Sequence, residues 1–201
     1  MKMVVKSIRR LALLTITLCL SLNSYAQEAK DTISHLQDSL IELMKNSDLD
    51  YQQRFEQIAP IVDATLDIPT ISKLVLGRTW RELDDMQKSN FLEKFRELSI
   101  STYAYRFSSY NNEQFEIIGQ EPPNRGRVVV TSELQLQNKP SIGFEYHLSE
   151  SENGWRIVNI VVDGVSDLAL KRGEYNAVLS DGNFDDLTTE LERQIERNSG
   201  Q

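Results

Sequence analysis

A single cysteine among 201 residues removes several function classes at once. Cys19 has no second cysteine to pair with, so no disulfide within the chain and no Cys-x-x-Cys metal cluster can form. Histidine is almost as scarce. His35 falls on the polar side of a helical pattern and His147 on the outward side of a strand pattern, and neither has a partner at metal-ligand spacing. No glycine-rich phosphate loop occurs. Gly164-Val165-Ser166-Asp167-Leu168 opens like a nucleophile elbow but lacks the closing glycine. Asp163, Ser166 and His147 make a hydrolase-type trio only on paper, because chains of this length routinely hold such sets. Ser166 reads instead as a backbone-capping hydroxyl at a strand-to-helix junction. No enzymatic activity, metal or cofactor is expected.

Long apolar runs are also lacking after the first residues. Lys2, Lys6, Arg9 and Arg10 precede an apolar stretch from Leu11 to Leu22, and Ser24-Tyr25-Ala26 supplies the small residues of a cleavage site. This is the layout of a secretory signal peptide over residues 1–26, removed to leave a chain starting at Gln27. The stretch is short for a bilayer span. Leu18 precedes Cys19 where a lipoprotein signal needs a small residue, so no lipid anchor is expected. The whole chain has a formal net charge of −8, and losing four basic and no acidic residues takes it to −12. Such a chain does not seek nucleic acid and is repelled by anionic bilayers, which suits transient membrane contact.

What is present is pattern. Ile33, Leu36, Leu40, Leu43 and Met44 recur at helical spacing over 29–46. A second helix is expected over 51–66, kinked or split at Pro60. A third is expected from an Asp67 cap to Leu76, with Pro69 in its first turn and Gly77 ending it. The longest helix, about 85–109, carries Phe91, Phe95, Leu98, Thr102, Tyr105 and Phe107. After Asn112 the period becomes two. Strands are expected over 115–119, from Val128 with Val130, Leu134 and Leu136 on one face, through Ile142, Phe144, Tyr146 and Leu148, and from Trp155 to Val162. Asn153-Gly154 marks a hairpin, and the last strand is apolar on nearly both faces. Helices over about 167–180 and from Asn183 close a single domain over 27–197, with 198–201 as a disordered tail. The expected fold class is α+β, with N-terminal helices on a curved antiparallel sheet of about four strands and C-terminal helices.

Aromatic and branched side chains crowd the facing elements, and periodicity does not separate a packed core from a cavity wall. A resemblance does. Leu76-Gly77-Arg78-Thr79-Trp80-Arg81-Glu82-Leu83, then Gln87 and Phe91 to Phe95, resembles a segment of the toluene-tolerance family, the periplasmic phospholipid-binding components of the maintenance-of-lipid-asymmetry (Mla) system. Thr102-Tyr103-Ala104, Gly154-Trp155-Arg156-Ile157, Val162-Asp163-Gly164-Val165-Ser166, and Arg172 with Tyr175 continue it. Asn159 and Asp167 depart from it, standing where members carry an aspartate and an apolar residue. The pieces Leu98 to Phe107 and Asp167-Leu168-Ala169 resemble a hopanoid-associated branch.

The resemblance implies a nuclear-transport-factor-like domain whose apolar cavity takes acyl chains. It implies a monomeric carrier passing phospholipid between an outer-membrane lipoprotein–porin complex and an inner-membrane ABC transporter. The cavity wall expected on this basis is Leu74, Val75, Leu76, Trp80, Phe91, Phe95, Tyr103, Val128, Val130, Phe144, Tyr146, Trp155, Ile157, Val162 and Val165. The alternative is an exported binding or assembly module without a lipid cavity, or a carrier of hopanoid-related lipid.

Overall fold

The computed structural model describes residues 28–200. The signal segment, its cleavage site and Cys19 lie outside them. The first helix, α1, spans 28–45. Its stripe of Ile33, Leu36, Leu40, Leu43 and Met44 is buried throughout. Even the polar residue on this face is engaged, since Gln37 Nε2 donates to Ser132 Oγ at 2.8 Å and to Tyr146 Oη at 3.3 Å. Thr32 Oγ1 donates to the Trp155 carbonyl at 3.2 Å. These bonds pin α1 to the sheet and satisfy polar groups whose burial would otherwise be costly.

Helix α2, Tyr51–Thr65, opens on a capping box between Asp50 and Gln53. It passes through Pro60 as one helix, so of the kink or split expected there the split does not occur. Pro60 is on the exposed side, where the carbonyl it leaves unpaired can reach water. Helix α3, Ile68–Leu76, is capped by Asp67 and ends at Gly77 with φ +54°. A single turn, α4 (Thr79–Glu82), leads to α5, Asp85–Arg106, which a second capping box starts at Asp84 and Gln87. It stops three residues short of the expected end.

The sheet is an antiparallel meander in the order β1-β2-β3-β4-β5. Its strands are β1 (Gln114–Gln120), β2 (Arg127–Leu136), β3 (Lys139–Ser151), β4 (Gly154–Val162) and β5 (Val165–Ser166). The expected four strands are there, β3 starting early enough to include Pro140. The fifth is a two-residue return through Asp163 and Gly164, both with positive φ, the conformation of a tight hairpin turn.

One irregularity explains why β4 reads in sequence as apolar on nearly both faces. His147 pairs with Asn159 but Leu148 pairs with Ile157, so Val158 is an extra, bulged residue. The bulge resets the alternation. Ile160 and Val162 come opposite Tyr146 and Phe144 and fall on the same side as Trp155 and Ile157. The α2–α3 junction closes against this point, with Asp67 N–H donating to the Ile157 carbonyl at 2.9 Å.

Helix α6, Asp167–Asp181, begins on a Ser166 cap, as expected of that hydroxyl. Helix α7, Phe184–Ser199, begins on Asn183, which accepts from the N–H groups of Asp185 and Asp186. It runs two residues into the segment expected to be a disordered tail, and Gly200 closes it in the left-handed conformation. The core has two parts. One lies between α1 and the sheet, with Ile33, Val130, Leu148 and Ile157 nearly or fully buried. The other lies among α5, α6 and α7, where Phe91 and Phe95 stack at 5.6 Å and Tyr175 meets both rings edge-on. Among the described residues no helix is long and apolar enough to cross a membrane.

Candidate functional site: an apolar cavity with a charged mouth

Between these two parts of the core the packing opens into a cavity of about 350 Å³. That lies at the small end of the range for ligand pockets, about 300–1,000 Å³. Each wall comes from a different element. Leu36 and Leu40 of α1 contribute one side, with Leu66 and Ile71 from the α2–α3 corner. Helix α5 lines the cavity over its second half, from Phe95 through Tyr103 to Phe107. The sheet closes it with Phe115, Leu134, Ile142, Phe144, Tyr146 and the bulged stretch of β4 from Ile157 to Ile160, then Val162. Leu168 of α6 covers the remaining edge.

The aromatic members form two ordered groups. Phe144 stacks on Tyr146 at 5.8 Å and meets Phe115 edge-on at the same distance. Tyr103 stacks on Phe107 at 5.8 Å. Such pairs favour defined ring geometries and add modestly to the stabilisation from burial. Burial pushes the hydroxyls of Tyr103 and Tyr146 up from the usual tyrosine value, so both stay neutral. The charged residues of the lining are exposed or partly exposed, which places them where the cavity meets solvent. Ser99 and Thr102 each return a hydroxyl hydrogen bond to their own helix, which leaves a mostly apolar surface facing inward. Arg106, Asp167 and Lys171 supply the charge, and Lys171 Nζ stands 3.2 Å from Asp167 Oδ1.

Of the side chains expected in the wall, Phe95, Tyr103, Phe144, Tyr146, Ile157 and Val162 line this cavity. The others lie elsewhere. Val75, Leu76 and Phe91 are buried in the helical core, and Val128, Val130 and Trp155 in the core under α1. Trp80 packs half-buried against the core. Leu74 is 40% and Val165 50% exposed, so neither faces the interior. Leu36, Leu40, Phe107, Phe115, Ile142 and Leu168 were missing from the expected wall. Leu36 and Leu40 were already legible as the apolar stripe of α1, but nothing in the pattern distinguished lining from filling.

The paper trio of Asp163, Ser166 and His147 is not assembled. Ser166 Oγ donates to Asn159 Oδ1 at 3.0 Å and accepts from Ala169 N–H at 3.2 Å. Asp163 accepts from the Gly143 N–H, and His147 Nε2 makes no hydrogen bond.

The model of the family described as MlaC protein matches residues 34–193. That is most of the chain, and it takes in every wall of the cavity. The chain belongs to the MlaC family. Among solved structures, a phospholipid-binding protein from Ralstonia solanacearum, determined in complex with a phospholipid, has the same fold. The two superpose with a TM-score of 0.74 at 18% identity, over 87% of this chain and 98% of that one.

Two of the MlaC-like motifs meet in space. Gly77, from the Leu76-Gly77-Arg78 segment, lies against Arg172 of α6, and a Cβ on Gly77 would come 3.2 Å from the Arg172 guanidinium. Together with φ +54°, this close approach makes glycine the fitting residue here. Tyr175, one turn further along α6, fills the helical core below. These MlaC motif residues therefore brace α3 against α6 and hold one edge of the cavity in place.

Proposed function

We propose that the protein is a periplasmic phospholipid carrier, which takes acyl chains into the cavity between α5 and the sheet. In this reading it is the soluble component of an ABC-type lipid transport system and moves lipid between the outer and inner membranes. The observation that carries the reading is the cavity itself, apolar and aromatic within, charged only at its mouth, in a chain of the MlaC family. The phospholipid held by the Ralstonia protein of the same fold supports it, and the signal segment read from the sequence supports export to the periplasm.

The energetics require such a device. Each methylene exposed to water costs about 0.8 kcal/mol, so two chains of about fourteen methylenes oppose free transfer by ~20 kcal/mol. A cavity replaces water with apolar wall and lowers that barrier with each methylene it encloses. No chemical step is assigned, and the role is that of a carrier and not of an enzyme. Its partners in this reading are an outer-membrane lipoprotein–porin complex and an inner-membrane transporter, each met transiently by a monomer.

The test is extraction of lipid from protein isolated gently from the periplasm, with mass spectrometry of the protein itself. Phospholipid in near-stoichiometric amount on a chain starting at Gln27 is expected. A chain free of lipid, or one retaining residues 1–26, overturns the corresponding part of the reading.

A further inference from the structure

The three charges at the cavity mouth are not equivalent. Lys171 and Asp167 form an i,i+4 pair at the start of α6, with the lysine side chain 22% and the aspartate 48% exposed. Arg106, in the last turn of α5, borders the same cavity and makes no ion pair with any described residue. Two backbone donors at the start of α6 are taken, Leu168 N–H by Asn159 Oδ1 and Ala169 N–H by Ser166 Oγ. Neither is available to an anionic group at this opening, which leaves the Arg106 and Lys171 side chains as its cationic partners.

We propose that this mouth selects a zwitterionic phospholipid headgroup, Arg106 and Lys171 holding the phosphodiester and Asp167 the ammonium of a phosphoethanolamine-type head. The inference rests on the carrier reading and adds headgroup selection to it. Arg106 is a planar donor fork with no partner of its own, suited to phosphate oxygens. Lys171 has three donors, so it can keep Asp167 and still reach the phosphate. A short ethylene link joins phosphate and ammonium in such a head. It asks for a cation and an anion side by side, which is how Lys171 and Asp167 stand. A glycerol head offers Asp167 no charge, and a second phosphate meets it with repulsion. The first-turn position of Asp167 also suits the helix dipole, but that role has no bearing on which headgroup is carried.

The experiment offers the mature protein vesicles of equal phosphatidylethanolamine and phosphatidylglycerol with matched acyl chains. The reisolated protein is then assayed for both lipids. The protein should carry the ethanolamine lipid in about three- to fivefold excess, the scale of one partly exposed ion pair. Asp167→Asn should bring the ratio near one, and Asp167→Glu should restore most of the excess. Arg106→Gln should lower the load of both lipids together. A ratio at or below one for the unaltered protein, or an excess that survives Asp167→Asn, overturns the headgroup inference while leaving the carrier reading intact. Absence of both lipids from every form overturns the carrier reading, and this inference with it.

Discussion

Asn159 holds the corner where the sheet hands over to α6. Its Oδ1 accepts from both Ser166 Oγ and Leu168 N–H, and Ser166 in turn caps the helix. An aspartate in the same place accepts the same two bonds, so the departure from the family pattern preserves the geometry. Loss of a cap hydroxyl typically costs about 1 kcal/mol. Ser166→Ala should therefore lower unfolding free energy by about that amount in urea titration, with lipid load retained. A loss above about 3 kcal/mol would mean that Ser166 does more than cap. Ile157 is a different case. It is fully buried, lines the cavity, and offers its carbonyl to Asp67. A glutamate there must enter an apolar wall with no partner, which costs several kcal/mol whichever protonation state it takes. Ile157→Glu is expected to lose lipid by losing the fold, visible as a melting temperature lowered by 10 °C or more. A variant that melts normally yet binds no lipid would instead place the acyl chain directly against Ile157.

Helix α5 serves two purposes along its length, and the two are separable. Its first half puts Phe91 into the helical core against Phe95 and Tyr175, and its last turns put Tyr103 and Phe107 on the cavity. Phe91→Ala should cost about 3–5 kcal/mol of stability, the usual range for a buried phenylalanine. Phe107 is half-buried at the helix end, so Phe107→Ala should cost about 1–2 kcal/mol while reducing bound lipid. Denaturant titration and lipid quantitation on both variants test this, and equal effects on both readouts would mean that α5 has a single role. The same helix shows how far the sequence could be read. Its hydrophobic spacing and aromatic density are local properties, and they make the element legible. Which aromatic packs and which lines depends on what lies opposite, and one sequence carries no direct record of that. For β4 the limit was the bulge at Val158. The apolar run was legible, but a one-residue change of phase depends on pairing with β3. The α+β class, the order of the longer elements and the β2 and β3 faces followed from periodicity, whereas the single turn α4 and the two-residue β5 did not. The charged mouth did not, because Arg106 and Lys171 come from helices whose meeting is tertiary. Its one signal was Asp167, a charge where the family pattern is apolar.

For the whole molecule, burial and charge set the conditions of work. Tyr103, Tyr146 and Tyr175 all have hydroxyls held above the ordinary tyrosine value, chiefly by desolvation. The unfolded chain ionises these groups near pH 10 while the folded one keeps them neutral. Their contribution is fully present below that pH and falls as pH rises beyond it. Tyr175→Phe should flatten the alkaline loss of stability. It should cost little at neutral pH, because the buried hydroxyl makes no hydrogen bond. Denaturant titration from pH 7 to 11 measures both effects, and an unchanged alkaline slope would assign the loss to other groups. The larger charge effect concerns transfer. A chain of formal charge −12 after the expected processing is pushed away from anionic bilayers and steered towards basic docking surfaces. A carrier that binds lipid tightly can release it only where docking lowers its affinity, since differential affinity alone shifts such an equilibrium. Lipid should therefore pass from the loaded protein to liposomes containing its cognate transporter at least ten times faster than to protein-free liposomes of the same composition. Raised salt should slow the first process by screening the encounter and speed the second by relieving repulsion. Equal rates to both kinds of liposome, or the same salt response in both, would mean that release is spontaneous and that docking only sets the address.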